Sequence, residues 1–291
     1  MIMRFILFSV TSMFASICCT NSPEGYYYAA VGRAGGELRS ALHGIIDGHK
    51  VLPYTKRGND DWHDGEKIDV WEALTYTDSA CADDEPKCGL VQLLYLDETR
   101  TLAQANRGGS SDMSWDREHV WPKSRGFRKK AQDGYTDLHH LRPADRNING
   151  AHSNYGYDEG GEPVMDRIAD GSKVDSGARF DKEGQSFEPP DRAKGQVARM
   201  LFYMAVRYEP GDDGGSEKMP DLKLRDENDR INEAWIGDLC TLVKWNNMFG
   251  VTDFERRRNN RVQELQGNRN PFIDQPGWVN LIWGTQCAAE G

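Results

Sequence analysis

The residues able to do chemistry are crowded between Asp116 and Asn154. The stretch opens Asp116-Arg117-Glu118-His119-Val120-Trp121-Pro122-Lys123-Ser124-Arg125 and continues Thr136-Asp137-Leu138-His139-His140-Leu141-Arg142-Pro143. It ends Asn147-Ile148-Asn149-Gly150-Ala151-His152-Ser153-Asn154, and it holds four of the chain's seven histidines. Such a mixture suits metal-assisted attack on a phosphate ester. A carboxylate and an amide oxygen can hold a hard cation that prefers oxygen and keeps several waters. A neutral imidazole can take a proton from an attacking water near pH 7. Arginine and lysine can neutralise the phosphate and the leaving oxygen.

These groups need elements to position them. Trp115 to Val120 reads as a short strand that ends at Trp121-Pro122, because proline cannot continue the ladder. Asp137 to Leu141 reads as a second strand, and Arg142-Pro143 as the start of a helix, with Pro143 suited to the first turn. Two strands and a helix would bring Glu118, His119, His140 and Asn149 toward one point. Neighbours on a regular strand face opposite sides, so Glu118 and His119 can share a site only if the strand ends or bulges there. Trp115 and Trp121 are read as core.

Around this unit, apolar spacing predicts helices over Glu37–Ile46, Asp69–Thr77, Asp191–Tyr208, Asn232–Trp245 and Thr252–Leu265. The run from Gly89 to Leu96 predicts a central strand. Residues 160–190, rich in Gly, Asp and Pro, read as a long connection with short strands, and 209–229 as an acidic loop. His139 and His152 are assigned structural or solvent-facing positions. No internal repeat or domain boundary stands out.

Hydrophobic content of 38% and eight tryptophans in 291 residues describe a folded chain with a sizeable core. The net charge of −10 argues against a polyanion partner if read globally. Locally the balance reverses. Arg117, Lys123, Arg125, Arg128, Lys129 and Lys130 face the single acid Glu118 in their stretch, and Arg256, Arg257, Arg258, Arg261 and Arg269 form a second cluster. That second cluster is either a phosphate contact or a solvated helix face.

Residues 1–19 read as an export signal: Arg4, then an apolar run from Phe5 to Ile17 too short to span a bilayer, then Cys18 and Cys19. Secretion or periplasmic export follows, with a lipid on the cysteine as the variant outcome. Residues 20–35 read as linker and 36–291 as one domain. No later segment is apolar enough to cross a membrane. The remaining cysteines favour the pairs Cys81–Cys88 and Cys240–Cys287.

Together these motifs resemble the bacterial endonuclease I family, secreted or periplasmic nucleases that cut DNA and often RNA with little sequence preference. The resemblance rests on Arg117 to Ser124, Thr136 to Pro143, and Asn149-Gly150 with Ser153-Asn154-Tyr155. Phe254 to Asn259 and Gln266 to Asp274 carry it further, so it covers most of the mature chain. It implies an α+β fold, a single domain whose ββα-metal (His-Me finger) core is surrounded by helices. By position it implies that His119 is the general base and that Glu118 and Asn149 hold Mg2+, with Mn2+ or Ca2+ as substitutes. The family often has His-Asn where this chain has His139-His140, and His140 would support the base or the fold. An arginine stabilises the leaving group in the family, and Arg125, Arg128 and Arg142 are all candidates here. Arg117, Lys123, Arg128, Arg256 and Arg257 are the expected substrate contacts.

The expected function is metal-dependent hydrolysis of DNA and RNA outside the cytoplasm by a monomer. The competing reading is a non-catalytic extracellular protein that binds nucleic acid or another polyanion around a structural metal. Zinc sites favour His and Cys at short fixed spacing, and no cysteine lies between 117 and 154.

Overall fold

The structure, a computed structural model, describes residues 22–55, 68–81, 88–108, 113–168, 170–210, 218–226 and 233–288. The expected export signal at 1–19 lies outside them. Helix α1 (Gly35–Ile46) buries Leu38, Leu42 and Ile46 at helical spacing. Helix α2 (Val70–Thr77) starts at a reciprocal cap between Asp69 and Glu72. Strands β1 (Leu90–Gln92) and β2 (Thr99–Thr101) form a small antiparallel pair. The run at 89–96 is therefore not a central strand. Leu93, Leu94 and Tyr95 leave the strand after Gln92 and are buried, so packing rather than sheet pairing accounts for the apolar run.

The central unit is β3 (Trp115–His119), β4 (Leu141–Asp145) and α3 (Arg146–His152), with β3 and β4 antiparallel and Glu118 opposite Arg142. The second strand thus begins where the sequence reading ends it, and Pro143 lies in the strand rather than in the helix. Asp137 causes the shift: its carboxylate accepts from the His139 backbone N–H at 2.9 Å and folds 137–140 into a turn. Pro143 is tolerated because its carbonyl points away from β3, accepting from Leu94 N at 2.9 Å, so its missing N–H faces away from the ladder too. Asp145 caps α3 through Asn147 N and Ile148 N.

Strands β5 (Gly156–Tyr157), β6 (Glu162–Arg167), β7 (Lys173–Asp181) and β8 (Ser186–Glu188) make one sheet in the order β5-β8-β7-β6. The long connection with short strands expected at 160–190 is mostly this sheet. Its strands β6 and β7 are mostly exposed or half-buried, so they lack the alternation that marks a half-buried strand. Helix α4 (Asp191–Arg207) is buried along most of its length and packs against α1. Strands β9 (Lys223–Leu224) and β10 (Trp235–Ile236) pair in parallel ahead of α5 (Leu239–Met248), which also packs on α4. The helix expected from Asn232 therefore begins at Leu239, where Asp238 caps it. Helix α6 (Asp253–Gln266) carries the second arginine cluster, followed by α7 (Pro271–Asp274) and α8 (Trp278–Cys287). Disulfides join Cys81 to Cys88 and Cys240 to Cys287. The segment read as linker is packed from its middle: Tyr27 is buried against Trp278 and donates to Asp274 at 2.7 Å.

Candidate active site

A cleft of about 470 Å3 opens at the end of β3, and Arg117, Glu118, His119, Lys123 and Asn149 all line it. Because β3 stops at His119, both Glu118 and His119 reach the cleft although adjacent strand residues face opposite ways. Their side chains are anchored on different sides.

His119 is anchored by the fold around Tyr135. Its Nε2–H donates to the Tyr135 carbonyl at 3.0 Å, which fixes the tautomer and leaves the Nδ1 lone pair free. Aromatic rings of Tyr54 and Tyr135 close around the imidazole, with centroids 5.8 and 5.0 Å away. Burial is the main cause that holds its pKa well below the usual histidine value; His140, Lys123 and Arg117 push the same way. The ring is neutral at pH 7 and able to accept a proton.

Glu118 is anchored through one oxygen. Oε1 accepts from Tyr95 Oη at 2.8 Å and from His152 Nδ1 at 2.5 Å. Oε2 makes no hydrogen bond among the described residues, and neither does the Asn149 amide, although both side chains line the cleft. Two uncommitted oxygens, one carboxylate and one amide, suit a hard divalent cation that keeps most of its waters. No cluster of three or more His, Cys, Asp or Glu able to surround a metal occurs among the described residues. A fully caged structural ion is not what this donor set offers.

The cations divide sharply. The Arg117 guanidinium lies between the rings of Tyr54 and Trp71, 3.4 and 4.1 Å from their centroids, and bonds the Tyr54 carbonyl and Thr55 Oγ1. Arg125 is fully buried, donating to the carbonyls of Asn154 (2.9 Å) and Trp235 (3.0 Å). Arg142 is also buried, paired with Asp78 and donating to Gln196 Oε1 at 2.8 Å. Neither Arg125 nor Arg142 lines the cleft. Arg128 is exposed and donates to the Ser124 carbonyl at 3.4 Å. His140 is buried behind His119, donating Nε2–H to the Gly134 carbonyl at 2.7 Å and accepting from Trp121 N at 3.4 Å.

Residues 35–277 match the family model described as Endonuclease I. The chain belongs to the endonuclease I family. Membership makes it a hydrolytic nuclease. The chain is 43% identical over 278 residues to an extracellular ribonuclease of Bacillus amyloliquefaciens, covering 95% of this chain and 84% of that one. It is 41% identical over 276 residues to an extracellular ribonuclease of Bacillus subtilis, covering 94% and 84%. An extracellular deoxyribonuclease of Aeromonas hydrophila is 29% identical over 140 residues, 48% of this chain and 49% of the relative.

In this endonuclease I chain, Arg256 and Arg257 line a second groove of about 390 Å3 with Tyr76, Asn260 and Arg261, apart from the cleft. The motif from Gln266 to Asp274 is structural. Gln266 holds Asp137 and the Leu138 N–H, Asn268 reaches the Ile46 carbonyl, and Arg269 pairs with Asp274 through two nitrogens. Sequence reading missed Tyr54, Trp71 and Tyr95 at the site. Trp71 and Tyr95 sit in apolar runs that carry no polar signal. His152 had one: it lies three residues after Asn149 on α3, and hence on the same helical face.

Proposed function

We propose that the cleft hydrolyses phosphodiester bonds of RNA and DNA outside the cytoplasm, with His119 as general base. Nδ1 takes the proton of a water that attacks phosphorus, while Nε2–H stays on the Tyr135 carbonyl and keeps the ring oriented. Glu118 Oε2 and the Asn149 amide oxygen hold a divalent cation, Mg2+ by the hardness of the donors, with Mn2+ or Ca2+ as substitutes. When bound, that cation offsets negative charge on the phosphate and on the leaving oxygen. Arg117 and Lys123 bind the phosphate in the cleft, and Arg117 takes the part of the arginine that faces the leaving oxygen. Arg125, Arg142 and His140 act indirectly, by holding the backbone around the cleft.

Exposed Arg128 and the half-buried Arg256 and Arg257 contact the polynucleotide outside the cleft, where guanidinium groups meet phosphates without sequence preference. The acting unit in this proposal is a monomer. Among the described residues no helix is long and apolar enough to cross a membrane, and the extracellular relatives support a site of action beyond it.

The observation that carries the proposal is a tautomer-fixed imidazole lining one cleft with an uncommitted carboxylate oxygen. Incubation of supercoiled plasmid and of a structured RNA with a panel of divalent cations tests it. Both substrates should be cut with Mg2+ and spared in chelator. His119→Ala should keep its melting temperature and lose a factor on the order of 10² to 10⁴, the worth of a general base. Cleavage at the wild-type rate by that variant would remove the assignment.

A further inference from the structure

Glu118 is useful to a cation only if its free oxygen is aimed, and a glutamate has several rotatable bonds to fix. Two donors from different parts of the chain converge on the other oxygen. One is Tyr95 Oη, from the buried segment after β1, and the other is His152 Nδ1, from the last residue of α3. Tyr95 Oη lies 3.1 Å from Tyr157 Oη, which lies 3.0 Å from the carbonyl of Val120 next to His119. The clamp is therefore tied to the same strand end that carries the base.

His152 sits there at a cost. It is fully buried and its ring stacks on Tyr157 at 4.8 Å, with Phe187 at 5.1 Å and Tyr95 at 6.3 Å. Its Nε2 is buried without a hydrogen-bond partner. An aromatic cage of this kind would pack a phenylalanine without stranding a polar atom. What the imidazole adds is the Nδ1 bond to Glu118. Its place on α3 matters as well, since Asn149 lies one turn earlier on the same helix face. One short helix thus presents one oxygen donor directly and orients the other.

We propose that His152, with Tyr95, is a positioning residue for the divalent cation, holding Glu118 so that Oε2 faces the cleft. The inference rests on the cation reading of Glu118 and Asn149 given above. Its readout is cation affinity in the absence of substrate, measured by calorimetric titration of the metal-free protein with Mn2+. Outer partners of this type are worth 10- to 100-fold in metal affinity. His152→Ala should weaken Mn2+ binding by that factor, while kcat at saturating Mn2+ falls much less. His152→Asn places an amide N–H where Nδ1 stands and should recover most of the affinity. His152→Gln carries its amide one carbon further out and should not. Tyr95→Phe removes only a hydroxyl and tests the same clamp should the alanine variant fail to fold. Wild-type protein that binds Mn2+ together with His152→Ala and Tyr95→Phe variants that bind it equally well would overturn this inference alone. Wild-type protein that binds no divalent cation would overturn the cation reading and this inference with it.

Discussion

Arg117 and Arg142 lie on the two strands of one hairpin, yet their surroundings give them opposite work. Arg142 shares the buried Asp78 carboxylate with Arg258, whose Nε donates to the same oxygen at 2.9 Å. Burial pulls the Arg142 pKa down to about 10, against the pull of Asp78. Arg258 still pairs Asp78 when Arg142 is removed, so Arg142→Ala should cost mainly the buried hydrogen bonds it makes, about 1–3 kcal/mol of stability in urea unfolding. The fraction that still folds should cut normally. Arg117→Ala should do the reverse, lowering kcat/KM roughly 10² to 10³-fold, as loss of one preorganised donor does, with a small change in melting temperature. A stable but inactive Arg142→Ala protein would return the leaving-group role to that residue. The depressed His119 pKa gives a second expectation: the acid limb of kcat/KM should fall well below pH 6.5, because the base stays unprotonated there. A limb centred at or above 6.5 would mean that His119 is not the base, or is not buried in solution.

Among the elements, the two disulfides close loops of very different length. The separation is 47 residues for Cys240–Cys287 and 7 for Cys81–Cys88. Chain entropy assigns the first about 4 kcal/mol and the second about 2.5 kcal/mol. The longer bond also pins α8, whose Trp283 packs on Phe202 of α4 at 4.7 Å. Replacing Cys240 and Cys287 together by serine should therefore lower the denaturant midpoint further than replacing Cys81 and Cys88, and the opposite order would contradict the loop argument. How far such elements can be read in advance follows from where their signal resides. Helices α1, α2, α4 and α6 write it into their own residues, as apolar spacing and as the caps of Asp69 and Thr252. Strand β3 is legible too, because proline stops it. Strand β4 is not, since Pro143 invites a helix, and only Leu94 from a distant segment, bonded to the Pro143 carbonyl, holds it extended. The same limit holds at the site: Glu118, His119 and Asn149 carry their own chemistry, whereas Tyr95, Tyr54 and the burial of Arg125 exist only through tertiary packing.

Across the whole molecule, the buried histidines make stability a function of pH. Burial is the chief cause that holds His140 at about 4 and His139 at about 3, and His119 is depressed as well. In the unfolded chain each returns to about 6.5, so below that pH the unfolded form binds more protons and the fold weakens as pH falls. Asp145 opposes this. Burial, then Asp166, raises it to about 6, so the folded form keeps a proton that the unfolded chain releases, and its contribution grows as pH falls below 6. The depressed imidazoles outnumber the one raised carboxyl, so stability should fall as pH drops from 6 toward 4, by on the order of one to three kcal/mol per pH unit. Urea midpoints measured across that window should fall steeply. His140→Gln should remove one titrating ring from the difference and make the slope shallower. A flat profile in the wild type would show that these rings are solvated in solution, and with them the packing that keeps His119 neutral.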